Sequence, residues 1–289
     1  MSNETSSTEI TQLWQEWDLH DYWGWYGKGK NLDNRGDYQE AIACYEKALE
    51  LRPNDYWSWY NRGNVLHALE HYEGAIFSFD QALQARPQDY WAWYNRGCIA
   101  LEDLDDYIEA IASFDKALEI RPEDYWCWFR RADCLRHLGH YKEAIISYNR
   151  ALELRNNDYW AIYRRGDCLR HLGHYEEAVA SYNQAGEINS QDYWLWYRKG
   201  DTLRHGGKYQ EAIASYRKAL TIKPDDDYSW YNLACCAAKL GNVETAINNL
   251  EQAIKLNREV NCSLASQDDD FEQIREQPAF QLLIQKPQS

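Results

Sequence analysis

The 289-residue chain contains no Cys-x-x-Cys pair, no long apolar run and no isolated pair of acids. It also lacks a Gly-rich phosphate loop and any motif that surrounds an activated nucleophile. The first absence removes thioredoxin-like redox chemistry and paired zinc ligands, and leaves Cys44, Cys98, Cys127, Cys134, Cys168, Cys235, Cys236 and Cys262 as expected free thiols of a cytoplasmic protein. The second leaves no candidate signal peptide or membrane span. The remaining absences argue against an enzyme and call for no cofactor. Cations are in short supply as well: Lys and Arg number 31 against 46 Asp and Glu, a net charge of −15. Duplex DNA and anionic membranes reward contiguous cations and are disfavoured as main partners.

What is present is a period. The triplet Asp-Tyr-Trp begins at Asp21, Asp55, Asp89, Asp124, Asp158 and Asp192, in steps of 34, 34, 35, 34 and 34 residues. Such a period signals stacked supersecondary units. Counted from the Tyr of each triplet, the units run 22–55, 56–89, 90–124, 125–158, 159–192, 193–226 and 227–260. In the seventh, Tyr228 takes the Trp slot.

Slots 4, 8 and 11 carry Trp, a small residue and usually an aliphatic, as in Trp59, Gly63 and Leu66, a spacing that predicts one face of a helix A. Gly36, Gly139, Gly173, Gly207 and Gly241 mark its end. A helix B follows, with Ala at slots 20 and 27 and an aromatic at slot 24 (Ala75, Ala82 and Phe79 in the second unit). The small residues allow close approach of the two helices, and the aromatics fill the remaining space. Only six prolines occur, and Pro53, Pro87, Pro122 and Pro224 all fall at slot 32, where they stop helix B. Cys134 and Cys168 occupy equivalent slots and read as small packing residues.

Over residues 22–260 the pattern W-x-x-x-G…Y-x-x-A…Y-x-x-A…P resembles the tetratricopeptide repeat family. That resemblance implies an all-α, right-handed solenoid of seven antiparallel helix pairs. It also implies that helix A lines a concave groove, helix B forms the outer face, and the repeats serve as a binding scaffold rather than a catalyst. Two features depart from the family. Slot 7 is basic (Lys28, Arg62, Arg96, Arg131, Arg165, Lys199), which predicts stems covering apolar surface with their charges reaching water. The fifth unit has Ile162 for Trp, Gly186 within helix B and Ser190 for Pro, so Gln184 to Ser190 is expected to be the least protected helical segment.

Both ends read as caps. Residues 1–21 are expected to start disordered and then form a short helix, opened by a capping box at Ser6 and Glu9 and carrying Ile10, Leu13, Trp14 and Trp17 on one face. In segment 261–289, Phe271, Ile274, Pro278, Phe280, Leu283 and Ile284 resemble the tail that closes many bacterial arrays of the family. The alternative is a peptide folded back into the groove, with Asp268, Asp269 and Asp270 as its charged approach.

Family resemblance directs slots 2, 5, 6, 9, 12 and 13 to the groove. Slots 2 and 5 pair Trp57 with Tyr60, Trp91 with Tyr94, Trp126 with Phe129, Trp160 with Tyr163 and Trp194 with Tyr197. The packing pattern assigns Trp93 at slot 4 to the buried wedge, and leaves Trp91 to the groove or to the seam between repeats. Units two and three add Asn61, Asn64 and Asn95, amides able to grip a peptide main chain. Units four to six add Arg130, Asp133 and Arg136, then Arg164, Asp167 and Arg170, then Arg198, Asp201 and Arg204, each followed by His137, His171 or His205. These form either an ion-pair ladder or, because Arg outnumbers Asp two to one, a face for carboxylates or phosphates. Chaperone-tail recognition, as the family practises it, is matched by Asn61 but not by Tyr26, Lys30, Trp91 or Asn95. His137, His140, His171 and His174 recur with the repeat and need no metal to explain them. The sequence therefore predicts a non-enzymatic adaptor that binds an extended protein segment. Single-stranded nucleic acid or another anionic ring-bearing ligand is one alternative, and homo-oligomerisation is another.

Overall fold

A computed structural model describes residues 21–285. The expected N-terminal helix over Ile10 to Trp17 lies outside the described residues. An aspartate precedes each A helix and accepts a hydrogen bond from a backbone amide two or three residues on. Asp55 takes the Ser58 amide at 2.7 Å, Asp124 that of Cys127 at 2.7 Å and Asp226 that of Ser229 at 2.8 Å. Asp is among the best N-caps because its carboxylate satisfies an amide that the helix leaves open. Each A helix ends in a left-handed residue: Gly36, Gly139, Gly173, Gly207 or Gly241, and in the second and third repeats Glu70 and Asp105.

The chain divides into two compact units, one ending at Leu138 and one beginning at Gly139. The first holds three helix pairs and a further A helix: α1 (Tyr22–Arg35), α2 (Tyr38–Leu51), α3 (Tyr56–Ala68), α4 (Tyr72–Ala85), α5 (Tyr90–Glu102), α6 (Tyr107–Ile120) and α7 (Tyr125–His137). The second opens with a B helix, α8 (Tyr141–Leu154). Three pairs follow: α9 (Tyr159–His171), α10 (Tyr175–Ile188), α11 (Tyr193–His205), α12 (Tyr209–Ile222), α13 (Asp227–Lys239) and α14 (Val243–Leu256). It closes with α15 (Arg258–Gln267), a 3-10 turn over Asp269–Phe271 and α16 (Pro278–Gln285). Within each unit every helix packs on the next along the chain, which makes an all-α solenoid of repeats.

The wedge between helices A and B is the slot-24 aromatic. Tyr45, Phe79, Phe114, Tyr182 and Tyr216 are buried to within 1% of completely. A methyl group added at Gly97 would stand 2.8 Å from the Phe114 ring, and one at Gly200 2.8 Å from Tyr216, so slot 8 accepts only the smallest residue in these two repeats. Trp93 corrects the sequence expectation: it is half-buried, not the wedge. Its indole N–H instead donates to the Pro87 carbonyl at 2.9 Å. Trp59, Trp128, Trp196 and Trp230 do the same to Pro53, Pro122, Ser190 and Pro224 at 2.7–3.0 Å. Slot 4 therefore clamps the turn that enters helix A.

Slot 7 lies over this clamp. The Arg96 guanidinium sits 5.9 Å from the Trp93 ring centre and bonds Asp80 of the preceding repeat, Glu109 and Ser113 at 2.6–2.8 Å. The stems cover apolar surface as the sequence implies, but this charge is tied across three helices rather than left to water. All eight cysteines are free; Cys134 and Cys168 are fully buried, and burial pushes the Cys134 thiol up to about 12. At the C-terminus Phe271, Ile274 and Phe280 join Tyr231, Leu250 and Ile254 in one buried cluster, which closes the open side of the last pair.

Candidate functional site

The three residues of the Asp-Tyr-Trp triplet have separate positions. Asp caps its own helix and also receives the slot-1 Tyr of the repeat before: Tyr22 donates to Asp55 at 2.7 Å and Tyr159 to Asp192 at 2.6 Å. Burial, and then this hydrogen bond, hold both phenols far above their ordinary pKa. The Trp is left outside. Trp23, Trp57 and Trp91 are 58%, 46% and 51% exposed, and Trp126, Trp160 and Trp194 are similarly open.

Each of these indoles meets the slot-5 ring of its own helix. In the first unit each stands nearly perpendicular to the slot-5 ring of its own helix: Trp57 against Tyr60 at 83°, Trp91 against Tyr94 at 84° and Trp126 against Phe129 at 87°, with centres 6.0–6.3 Å apart. Behind them an arginine lies over the slot-1 and slot-2 rings together. Arg86 is 4.4 Å from the Tyr56 centre and 5.2 Å from that of Trp57; Arg121 is 4.0 Å from Tyr90 and 5.4 Å from Trp91. Trp57 and Trp91 are thus each held by an aromatic edge and a cation, with about half of the residue exposed. The second unit repeats the corner with Trp160 and Tyr163 at 84° and with Trp194 and Tyr197 at 85°.

The seam belongs to slots 5 and 6. Asn61 donates to Tyr26 Oη and Asn95 to Tyr60 Oη, both at 3.1 Å, and Asn232 donates to Tyr197 Oη at 3.3 Å. Asn61 is buried; Asn95 also reaches Asn64 at 3.4 Å. The slot-6 amides therefore join successive A helices before any ligand arrives, and Asn64 and Asn95 remain half-exposed beside the aromatic corners.

The Arg and Asp slots form a network. Arg130 pairs with Glu102 and lies 5.8 Å from the Tyr94 ring centre, while buried Asp133 faces Arg136 at 3.8 Å. In the second unit Arg164 lies over Trp160 at 5.8 Å, and Asp167 accepts from Tyr182 at 2.7 Å. Asp201 is approached by Arg170 at 3.5 Å, Arg204 at 3.7 Å and His205 at 3.4 Å. Burial opposes the charge of Arg198, but Asp167 and a hydrogen bond with Tyr163 outweigh it and raise its pKa. Much of the arginine excess is answered within the chain. Asp270 of the C-terminal turn meets Arg204 at 2.8 Å and Lys239 at 3.3 Å, and Asp268 accepts from Tyr231 at 2.8 Å. The tail's apolar side chains pack on the last helix pair while Asp270 pairs with Arg204 and Lys239.

His137 stacks on Tyr107 and His171 on Tyr141, with centres 4.9 and 4.6 Å apart and planes within 7°. Both rings thus join an A helix to the B helix of the repeat before. Among the described residues one group has metal-ligand spacing, Cys235 with Asp268 and Asp270. Arg204 and Lys239 already neutralise Asp270, and burial drives the Cys235 thiol far upward, so this donor set does not favour a cation. No described helix is long and apolar enough to cross a membrane.

Sequence reasoning missed the capping role of the triplet Asp, the slot-1 Tyr latch and the arginine behind the Trp. The signal for the arginine was the recurrence of Arg-Pro ahead of the triplets at Asp55, Asp89 and Asp124, at Arg52, Arg86 and Arg121.

Comparison with known proteins gives the same architecture. Family profiles described as "TPR repeat" match residues 34–70 and 200–234, and others described as "Tetratricopeptide repeat" match 56–89, 90–157, 159–192 and 227–260. No curated protein matches the chain significantly. Among solved structures, YrrB, a TPR protein "with an unusual peptide-binding site", is 27% identical over 64% of this chain and 95% of its own, with a TM-score of 0.57. A tetratricopeptide repeat protein from Parabacteroides merdae is 20% identical over 84% of this chain and 96% of its own, at 0.54. MamA from Desulfovibrio magneticus is 19% identical over 59% and 96%, at 0.55. The last two likenesses concern the fold alone. The 34-residue period, the buried slot-24 wedge against slot 8 and the profiles spanning most of residues 34–260 agree: this chain belongs to the tetratricopeptide repeat family.

Proposed function

We propose that the protein is a non-enzymatic adaptor that binds an extended segment of a partner protein along the face of its A helices. The carrying observation is the row of half-exposed tryptophans. Burying an exposed aromatic ring stabilises by roughly 25 cal/mol per Å² of apolar area removed from water, and each repeat holds its indole in place before binding. Trp57 and Tyr60 with Asn64, and Trp91 and Tyr94 with Asn95, supply apolar walls beside amides that donate and accept. The likeness to YrrB, whose title names a peptide-binding site, supports this reading. Trp126, Phe129, Arg130, Asp133 and Arg136 extend the surface, and in the second unit Trp160, Tyr163, Arg164, Asp167, Arg170, Trp194, Tyr197, Arg198, Asp201 and Arg204 make a more ionic one.

Selection from a displayed library of 12-residue peptides tests the reading. The wild-type chain should enrich peptides whose binding falls at least tenfold in Trp57→Ala and Trp91→Ala variants that keep the wild-type melt. Enrichment insensitive to both substitutions would sink it. The exposed aromatics beside arginine also favour a second reading, single-stranded nucleic acid. Oligonucleotide binding that weakens steeply with salt and disappears in Arg164→Ala would put that reading first.

A further inference from the structure

In the second and third repeats the surface around the exposed tryptophans carries no ionic group at slots 2, 5, 6 and 9, which are Trp57, Tyr60, Asn61 and Asn64, then Trp91, Tyr94, Asn95 and Cys98. The nearest cations are Arg86 and Arg121, which lie behind the Trp57 and Trp91 rings, and Arg130, which is paired with Glu102 beside Tyr94; the slots themselves present a strip of rings and amides and favour a partner segment that is itself uncharged. Trp23, Trp57 and Trp91 have indole N–H groups that donate to nothing among the described residues, whereas the slot-4 indoles all donate internally where the ring is present and its turn described. The strip therefore offers indole donors and apolar corners.

The spacing of the corners selects the ligand's conformation. Successive A helices touch directly through the Asn61–Tyr26 and Asn95–Tyr60 bonds, and helices in side-chain contact lie about 8–10 Å apart. A β-strand returns a side chain to the same face every second residue, about 6.6 Å, and every third residue points away. A polyproline II helix returns one every third residue, at about 9.3 Å. Only the second period matches one corner per repeat. A proline ring is flat-sided and apolar and fits between two perpendicular aromatic walls. Its residues present carbonyls and few N–H groups, which complements a strip that donates.

On this basis we propose that the first unit binds a proline-rich segment in the polyproline II conformation, with one proline of every third residue seated against the Trp23, Trp57 and Trp91 corners. The proposal rests on the adaptor reading and names the class of segment it takes. Pre-organisation serves both sides: Arg86 and Arg121 fix the indoles from behind, and polyproline II is already populated in a free proline-rich chain, so little order is lost on binding.

The test uses the full chain and two synthetic probes, an all-L dodecaproline and a dodecaproline of alternating D and L residues that cannot form the helix. Binding is followed by tryptophan fluorescence and by the indole N–H signals in 15N-labelled protein. The all-L probe should bind and shift the Trp57 and Trp91 indole signals, and the alternating probe should bind at least tenfold more weakly. Trp57→Ala and Trp91→Ala should each weaken the all-L probe about tenfold, the usual loss for an aromatic anchor. Trp91→Phe, which keeps the wall and removes the donor, should fall between; its melt and those of the alanine variants are recorded to exclude unfolding. Absence of all-L binding, equal binding of both probes, or binding that ignores the tryptophans overturns the proposal. Proline-free library peptides that need Trp91 would then show the adaptor reading surviving without it; if those peptides fail too, both readings fall.

Discussion

Trp91 and Trp93 lie two residues apart on one helix, yet among the described residues only the second has a partner for its N–H. Replacing Trp93 by Phe keeps a ring at slot 4 and removes the bond to the Pro87 carbonyl, so thermal unfolding should show a loss of about 1 kcal/mol, the net contribution of such a bond. Trp91→Phe, at an exposed site, should stay within about 0.5 kcal/mol of wild type. The repeat pattern in the sequence separated these two residues but overstated the burial of Trp93, because it reports which slots recur and not how deeply a large ring sinks. Asp226 carries a pH consequence. Burial raises its pKa, but hydrogen bonds from Tyr193 and Ser229 outweigh this and hold it below the ordinary 3.8. A carboxylate depressed in the folded state stabilises above its unfolded pKa, and that contribution is lost as pH falls through the folded value. Asp226→Asn, which retains a capping oxygen, should therefore be less stable than wild type at pH 7 and should converge on it in chemical-denaturation curves below pH 3.8.

At the level of the helix, the 34-residue period made every A and B element legible, because caps, small residues and stops all repeat with it. The contacts between repeats were not legible. Asn61 meets a residue 35 positions back and Tyr22 one 33 positions on, offsets that a single helix face does not display. These contacts also move the expected weak point. Helix α10 continues through Gly186, where an added methyl would make ordinary contact with Leu195 and Trp196, and Trp196 still clamps the Ser190 carbonyl. The turn before α9 has no such clamp: Asn156 stands where four repeats have Pro, Ile162 replaces the clamping Trp, and Gln184 reaches the Asn156 carbonyl at 3.5 Å. Hydrogen exchange should be fastest among the inter-repeat turns at Asn156–Asp158, ahead of Ser190–Asp192. The reverse order would mean that Gly186 governs opening. At the other turn, Glu70 holds a φ of 61° that glycine adopts without cost. Glu70→Gly should raise stability by about 0.5–1 kcal/mol, the strain relieved exceeding the entropy that glycine loses.

Within each unit the helices pack mainly on their neighbours along the chain, so stability there is expected to be a sum of local pairs and interfaces and a lesion at one end should fade with distance. The C-terminal closure is where this can be seen. Phe271 and Phe280 are fully buried against the last pair, with rings 5.5 Å apart, and Tyr231 meets Phe271 edge-on at 5.6 Å. Phe271→Ala should cost about 3–5 kcal/mol at this end through lost transfer energy and the cavity left behind. It should also release the Asp268–Asp270 turn, because that turn is held against Arg204 and Lys239 only while the ring beside it stays seated. Exchange protection should then fall most in α13 and α14, less in α11 and α12, and hardly in α9. A uniform loss across all these helices would instead mean that the second unit unfolds as one cooperative body, and that the nearest-neighbour account fails for it.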